Sequence, residues 1–165
     1  MSKFNSITYP DLNNGPGCRV SVFLQGCPIQ CPGCFNRELW DPDGGHGFTF
    51  ATFDTVRNLL DKPYIRGLTV LGGEPLAEYN MCMTAILCNV AKAVAGKDVW
   101  VYTGYRYEDL DGLQLSALEK ADVLVDGPFK KDLADRDLVF KGSSNQRIID
   151  LNKTRSAGKP VLLDM

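Results

Sequence analysis

The chain has 165 residues, 44% of them hydrophobic and 23% charged, enough for one core-bearing unit spanning 1–165 and too few for two ordinary domains. Its 18 basic and 20 acidic side chains give a formal charge of -2, so no basic surplus points to nucleic acid or acidic lipid. No apolar run reaches the roughly 18 residues of a membrane span, and the start MSKFNSITYP lacks the regions of a signal peptide, so a cytoplasmic protein is expected.

In chain order, Val20–Gln25 is β-branched and apolar, lies between the Gly15-Pro16-Gly17 turn and a cysteine cluster, and reads as a buried strand. Phe50, Phe53, Val56, Leu59 and Leu60 recur at helical spacing behind Thr49, a candidate N-cap, with Pro63 beyond the end. Leu68–Leu71 is a second strand ending in Gly72-Gly73. Leu87, Val90, Ala91 and Val94 form a second helical stripe that Gly96 is placed to stop. Val99–Tyr102 is a third strand, Tyr107–Lys120 a third helix, and Val123–Val125 a fourth strand. Arg147–Leu151 and Val161–Leu163 are candidate further strands, whereas 130–137 and 141–146 read as loops.

Short apolar strands alternating with helices predict an α/β fold, a parallel sheet with helices covering a face. A complete eight-unit barrel takes about 250 residues, so any barrel here is incomplete. The segments 26–36, 72–75, 103–106 and 126–129 all follow carboxyl ends of predicted strands, where parallel folds place their ligands.

Cys27, Cys31 and Cys34 form a CxxxCxxC loop, while Cys18, Cys82 and Cys88 are scattered. A disulfide framework suits small secreted chains and is disfavoured. Structural zinc and ordinary cubane clusters take four protein ligands, so a closed site needs a donor from Cys18, Cys82, Cys88 or His46. With three ligands, one iron of a four-iron cluster stays open to a small molecule.

CxxxCxxC after a first strand resembles the signature of radical S-adenosylmethionine (SAM) enzymes. Asn14-Gly15-Pro16-Gly17-Cys18-Arg19, Gly26-Cys27 and Cys34-Phe35-Asn36 resemble glycyl-radical-enzyme activases. Pro32–Asn36, Val99–Tyr105, Val125-Asp126-Gly127 and Gly142–Gln146 are similar to the family that activates anaerobic (class III) ribonucleoside-triphosphate reductase. The resemblance covers residues 14 to 147 and implies an open, single-domain partial (β/α) barrel of the radical SAM type, shorter than eight units.

It further implies a [4Fe-4S] cluster held by Cys27, Cys31 and Cys34, with SAM on the remaining iron. A flavodoxin- or ferredoxin-like protein would supply an electron for reductive cleavage of SAM. The resulting 5′-deoxyadenosyl radical would take a Cα hydrogen from a glycine of the reductase. Gly72-Gly73-Glu74 matches the motif that holds the amino group of SAM, through strand-end carbonyls or the Glu74 carboxylate. Many superfamily members carry an aromatic or large apolar residue before the third cysteine; here it is Gly33, which leaves adenine to Phe35 or to backbone groups of Gly33 and Phe35.

Thr103 and Asp126 either reach SAM or merely cap loops, and Arg19 either pairs with a loop carboxylate or meets the partner. Three rivals remain at this level: an activase for another glycyl-radical enzyme such as pyruvate formate-lyase, a small-molecule radical SAM enzyme, and a zinc-stabilised binding module.

Overall fold

The computed structural model describes residues 1–165. Seven strands form one open sheet: β1 (Lys3–Asp11), β2 (Cys18–Leu24), β3 (His46–Gly47), β4 (Ile65–Gly72), β5 (Asp98–Tyr102), β6 (Val123–Asp126) and β7 (Arg147–Asp150), in the order β3-β1-β2-β4-β5-β6-β7. The central four, β2-β4-β5-β6, are parallel. Both flanks reverse direction, since β1 runs antiparallel to β2 and to β3, and β7 antiparallel to β6. The expected α/β architecture is present, with antiparallel flanks added. Four α-helices accompany the sheet: α1 (Phe50–Leu60), α2 (Met81–Lys92), α3 (Gly112–Ala117) and α4 (Leu151–Ala157).

Alternation along the strands decides which side chains meet the helices. Val20, Val22, Leu24, Leu68, Val70, Val99, Val101 and Leu124 pack in the main core with Val56 and Leu60 of α1 and Leu87, Cys88 and Ala91 of α2. The intervening residues face the other side, where Trp100, Val123 and Val125 pack with Tyr102, Phe140, Ile148 and Leu163. Both faces are therefore covered, which explains strands that read as continuous apolar runs rather than as an alternation of apolar and polar.

Thr49 caps α1 as expected, its side chain accepting from the Thr52 N–H in a capping box. The stretch expected to form one helix from Tyr107 to Lys120 is instead a 3-10 turn at Tyr107–Asp109 followed by α3. Asp111 interrupts it: its carboxylate accepts from the Leu113 and Gln114 N–H groups, which makes it the N-cap of α3 rather than an interior residue. At the tail, Arg147–Asp150 is a strand, but Leu151 opens α4, where Asp150 accepts from Lys153 N–H and Gly158 closes the helix at φ 67°. Val161–Leu163 contributes only an isolated bridge, Leu162 to Ile149.

On the second face, at the amino ends of the parallel strands, Arg19 is fully buried. Its Nε donates to Thr69 Oγ1 at 2.7 Å, Nη2 to the Leu68 carbonyl at 2.8 Å and Nη1 to the Pro16 carbonyl at 3.3 Å. Nη1 also lies 2.7 Å from Asp98 Oδ1, and the guanidinium stacks over Trp100. The carboxylate that Arg19 pairs with is therefore that of Asp98, the first residue of β5, and not one from a loop as the sequence had offered. Removing one partner of a buried pair strands the other charge. Asp98→Ala is expected to lose about 3–5 kcal/mol of stability in urea unfolding. A loss below about 1 kcal/mol would mean that Thr69 and the carbonyls satisfy Arg19 without the carboxylate.

Candidate functional site

The cysteine loop begins where β2 ends and is pinned at its neck. The Gly26 N–H donates to the Leu39 carbonyl at 2.8 Å and the Cys27 N–H to the Trp40 carbonyl at 3.1 Å. Gln25, almost fully buried, donates from Nε2 to the carbonyls of Glu38 and Asp41. These bonds return the chain to its starting point, so the span between is an excursion held at both ends. Inside it, Cys34 N–H donates to the Cys31 carbonyl at 3.0 Å and Asn36 N–H to Cys34 Sγ at 3.4 Å. Cys27, Cys31 and Cys34 are free, half-buried, and line one pocket with Gly73, Thr103 and Gln146.

The turn after β4 forms the second wall. Gly73 N–H donates to the Leu24 carbonyl and Glu74 N–H to the Gly26 carbonyl, both at 2.8 Å. A Cβ on Gly73 would stand 2.3 Å from the Gly26 carbonyl oxygen, so only glycine permits this approach. The Gly73 carbonyl accepts no hydrogen bond within the chain.

Glu74 is 1% exposed, and its carboxylate is fully engaged. Oε1 accepts from Thr103 Oγ1 at 2.7 Å and Leu76 N–H at 2.9 Å, and Oε2 from Gly104 N–H at 2.8 Å. Burial pushes its pKa up to about 7, against the pull of those three donors. The side chain thus ties the turn after β4 to the loop after β5. Asn80 adds a second tie, donating to the carbonyls of Gln25 and Glu74 while accepting from Ser2 Oγ.

The loop after β6 forms the remaining wall. Phe129 packs against Phe35 with ring centroids 5.3 Å apart, and Phe35 is 79% exposed. The aliphatic stem of Lys131 covers Gly33, where a Cβ would meet Lys131 carbons at 3.0 to 3.3 Å. Gly33 also has φ 80°, so a bulky residue there would be strained as well as crowded. That is the physical reason for glycine before the third cysteine. Burial raises the pKa of the Cys27 and Cys31 thiols; the amides of Gln30 and Ile29 oppose this at Cys27, and the Phe129 amide opposes it at Cys31.

The other candidates lie elsewhere or are occupied. Thr103 is used by Glu74, and Asp126 accepts from Tyr107 N–H and Arg147 Nε. Cys18 starts β2 at the far end of the sheet, Cys82 is exposed on α2, Cys88 is in the core and His46 is exposed beside Phe4. None of these last four lines the pocket. Phe129 lies in the 126–129 segment expected at the ligand-binding rim, though the sequence assigned it no role of its own. Lys131 and Asn80 carry no motif of metal or acid–base type and were not singled out from the sequence.

The donor set fits an iron–sulfur cluster: three free cysteines line one pocket, with no fourth cysteine or histidine lining it. The thiols do not converge into a ready-made chelate. This is expected of a loop whose ligands must lose protons and gather on binding.

The family model described as a 4Fe-4S single cluster domain matches residues 13–149. Among curated proteins, the chain is 43% identical over 142 residues to the anaerobic ribonucleoside-triphosphate reductase-activating protein of Enterobacteria phage T4, covering 85% of this chain and 89% of that one. It is 39% identical to the protein of the same name from Escherichia coli K12, over 84% of this chain and 92% of that one. The Vibrio cholerae protein of that name is 39% identical over 85% of this chain and 93% of its own length.

The raised pKa of Glu74 fixes the sign of a pH effect. Below the ordinary carboxyl value of 4.5, Glu74 is protonated folded or unfolded; between there and about 7 only the unfolded chain ionises. Its contribution to stability is therefore fully present below pH 4.5 and lost as pH rises to about 7. Thermal unfolding from pH 4 to 8 should show this loss in the wild type and not in Glu74→Gln. Parallel pH profiles would remove Glu74 as its source.

Proposed function

From a chain that belongs to the family of anaerobic ribonucleoside-triphosphate reductase-activating proteins, we propose the reductive activation of such a reductase, with residues 1–165 acting as one unit. A [4Fe-4S] cluster and SAM are its cofactors, and a flavodoxin- or ferredoxin-like protein is its electron donor. The observation that carries this reading is that three free cysteines line the same pocket as Gly73, a residue whose backbone carbonyl is uncommitted. When bound, the two cofactors supply one-electron cleavage of SAM to methionine and a 5′-deoxyadenosyl radical, which takes a hydrogen atom from a glycine Cα of the reductase.

Cys27, Cys31 and Cys34 would hold the cluster. Their protons leave as it binds, and the amides facing Cys27 and Cys31 favour the thiolates. With Glu74 committed to three donors, the Gly73 carbonyl is the acceptor offered to the ammonium of SAM. Glu74 then acts as a positioning residue, fixing the turn that presents Gly73. Phe35 and Phe129 give the mouth an aromatic rim suited to a purine, and the backbone of Gly33 lies beside it under Lys131. We read the open seven-stranded sheet as a partial barrel of the radical SAM type, which would leave the mouth accessible to a protein segment.

Anaerobically reconstituted protein should contain iron and sulfide, absorb as a brown iron–sulfur protein, and cleave SAM under dithionite. Cys31→Ala should abolish cleavage; full activity in that variant rejects the cluster assignment, and stoichiometric colourless zinc in place of iron favours a binding module. Gly73→Val sets a side chain against the Gly26 carbonyl at the root of the cysteine loop, so it should lose most SAM affinity together with part of the cluster absorbance, and unchanged affinity would take Gly73 out of the site. Incubation of the reduced protein with SAM and an anaerobic ribonucleotide reductase should yield the paramagnetic resonance doublet of a glycyl radical. Absence of the doublet with a competent reductase would redirect the partner to another glycyl-radical enzyme.

A further inference from the structure

The segment Gly142–Gln146 has no role in the chemistry above, yet it is joined to the loop after β6 by a set of hydrogen bonds. Gln146 Oε1 accepts from the Gly142 N–H at 2.8 Å and the Ser143 N–H at 3.2 Å, and Nε2 donates to the Gly127 carbonyl at 2.9 Å. Asn145 Nδ2 donates to the Pro128 carbonyl at 2.8 Å. Ser143, fully buried, accepts from the Lys130 N–H through Oγ at 3.1 Å, and Ser144 N–H donates to the Leu133 carbonyl at 2.8 Å. Gly142 lies against the Phe129 ring, where a Cβ would come within 3.1 Å.

These bonds land on residues 127, 128, 130 and 133, the loop after β6. That loop has only a three-residue 3-10 turn of its own, so its position depends on groups outside it. It is also the loop that lays Phe129 against Phe35 and Lys131 over Gly33. We propose that Gly142–Gln146 is a brace that sets the loop after β6 against the cysteine loop, with Gln146 as its positioning residue. Gln146 also lines the pocket, so its carboxamide meets both the brace and the cavity.

The carboxamide is matched to this task in a way that a carboxylate is not. It accepts from two N–H groups with one end and donates to a carbonyl with the other. Gln146→Glu keeps the size and the acceptor, but sets a carboxylate oxygen against the Gly127 carbonyl. The brace loses one bond and gains a repulsion, while the sheet is untouched.

The inference rests on the cofactor reading only for its effect on SAM. The first test uses protein without a cluster and reads alkylation rates of individual cysteines by mass spectrometry. In Gln146→Glu, Cys31 should react at a rate several-fold different from the wild type, because the loop supplies both its cover and the Phe129 amide that favours its thiolate, with Cys27 unchanged and the core Cys88 still protected. An unchanged Cys31 rate while Cys88 stays protected overturns the brace. If Cys88 becomes reactive, the variant has unfolded; Ser143→Ala, which removes only the acceptor used by Lys130, then decides by the same readings.

The second test uses reconstituted enzyme, in which Gln146→Glu should raise KM for SAM by roughly tenfold with little change in kcat. A fall in kcat at unchanged KM contradicts a positioning role. Wild-type protein that holds a cluster and cleaves no SAM would overturn the cofactor reading, and the alkylation rates would still decide the brace.

Discussion

The pocket depends on the contact of two backbone segments with no side chain between them. Where β2 and β4 end, their parallel pairing continues: Gly73 N–H reaches the Leu24 carbonyl and Glu74 N–H the Gly26 carbonyl. The root of the cysteine loop and the turn after β4 are thereby fixed to each other by backbone geometry, the least adjustable element available. Glu74 extends the fixed region to the loop after β5, and Asn80 ties it to the segment before β1. A buried carboxyl with a raised pKa is a costly group to keep; its three donors belong to segments that nothing else binds together at that point.

The two ends of the parallel strands divide stability from chemistry. At the amino ends, Arg19 is sealed by Asp98, Thr69 and Trp100. At the carboxyl ends, the chain presents thiols, an uncommitted carbonyl and an exposed aromatic ring. The same sheet serves both, because a strand fixed at one end carries its loop at the other to a defined place.

Much of this was legible in the sequence. The four parallel strands and α1 with its Thr49 cap are set by local pattern, and the CxxxCxxC loop and Gly72-Gly73-Glu74 turn are set by residue type. β1 was not, since Asn5, Ser6, Thr8 and Pro10 give it no apolar run, and it forms because β2 offers an edge. α4 was missed for a related reason: it has the caps Asp150 and Gly158 but little apolar stripe, and tertiary contact makes up the difference. Glu74 illustrates a further limit. Its type suggested a ligand for an ammonium, whereas its partners Thr103 and Gly104 lie some thirty positions away and only the fold brings them together. For the same reason, Phe129 and Lys131 had no signature of their own.

The reversed direction of the outer strands bears on how this architecture tolerates change. A parallel sheet grows by adding another strand and helix beside the last one, but β7 already occupies that position and runs the other way, while β1 and β3 close the opposite side. Duplication of a strand–helix unit at either margin would have to displace a paired strand before gaining one. Insertions between strands meet no such obstacle where they enter the solvent-facing loops. Divergence in what this scaffold accommodates should accordingly be recorded in loop length and composition, with the number of strands held constant.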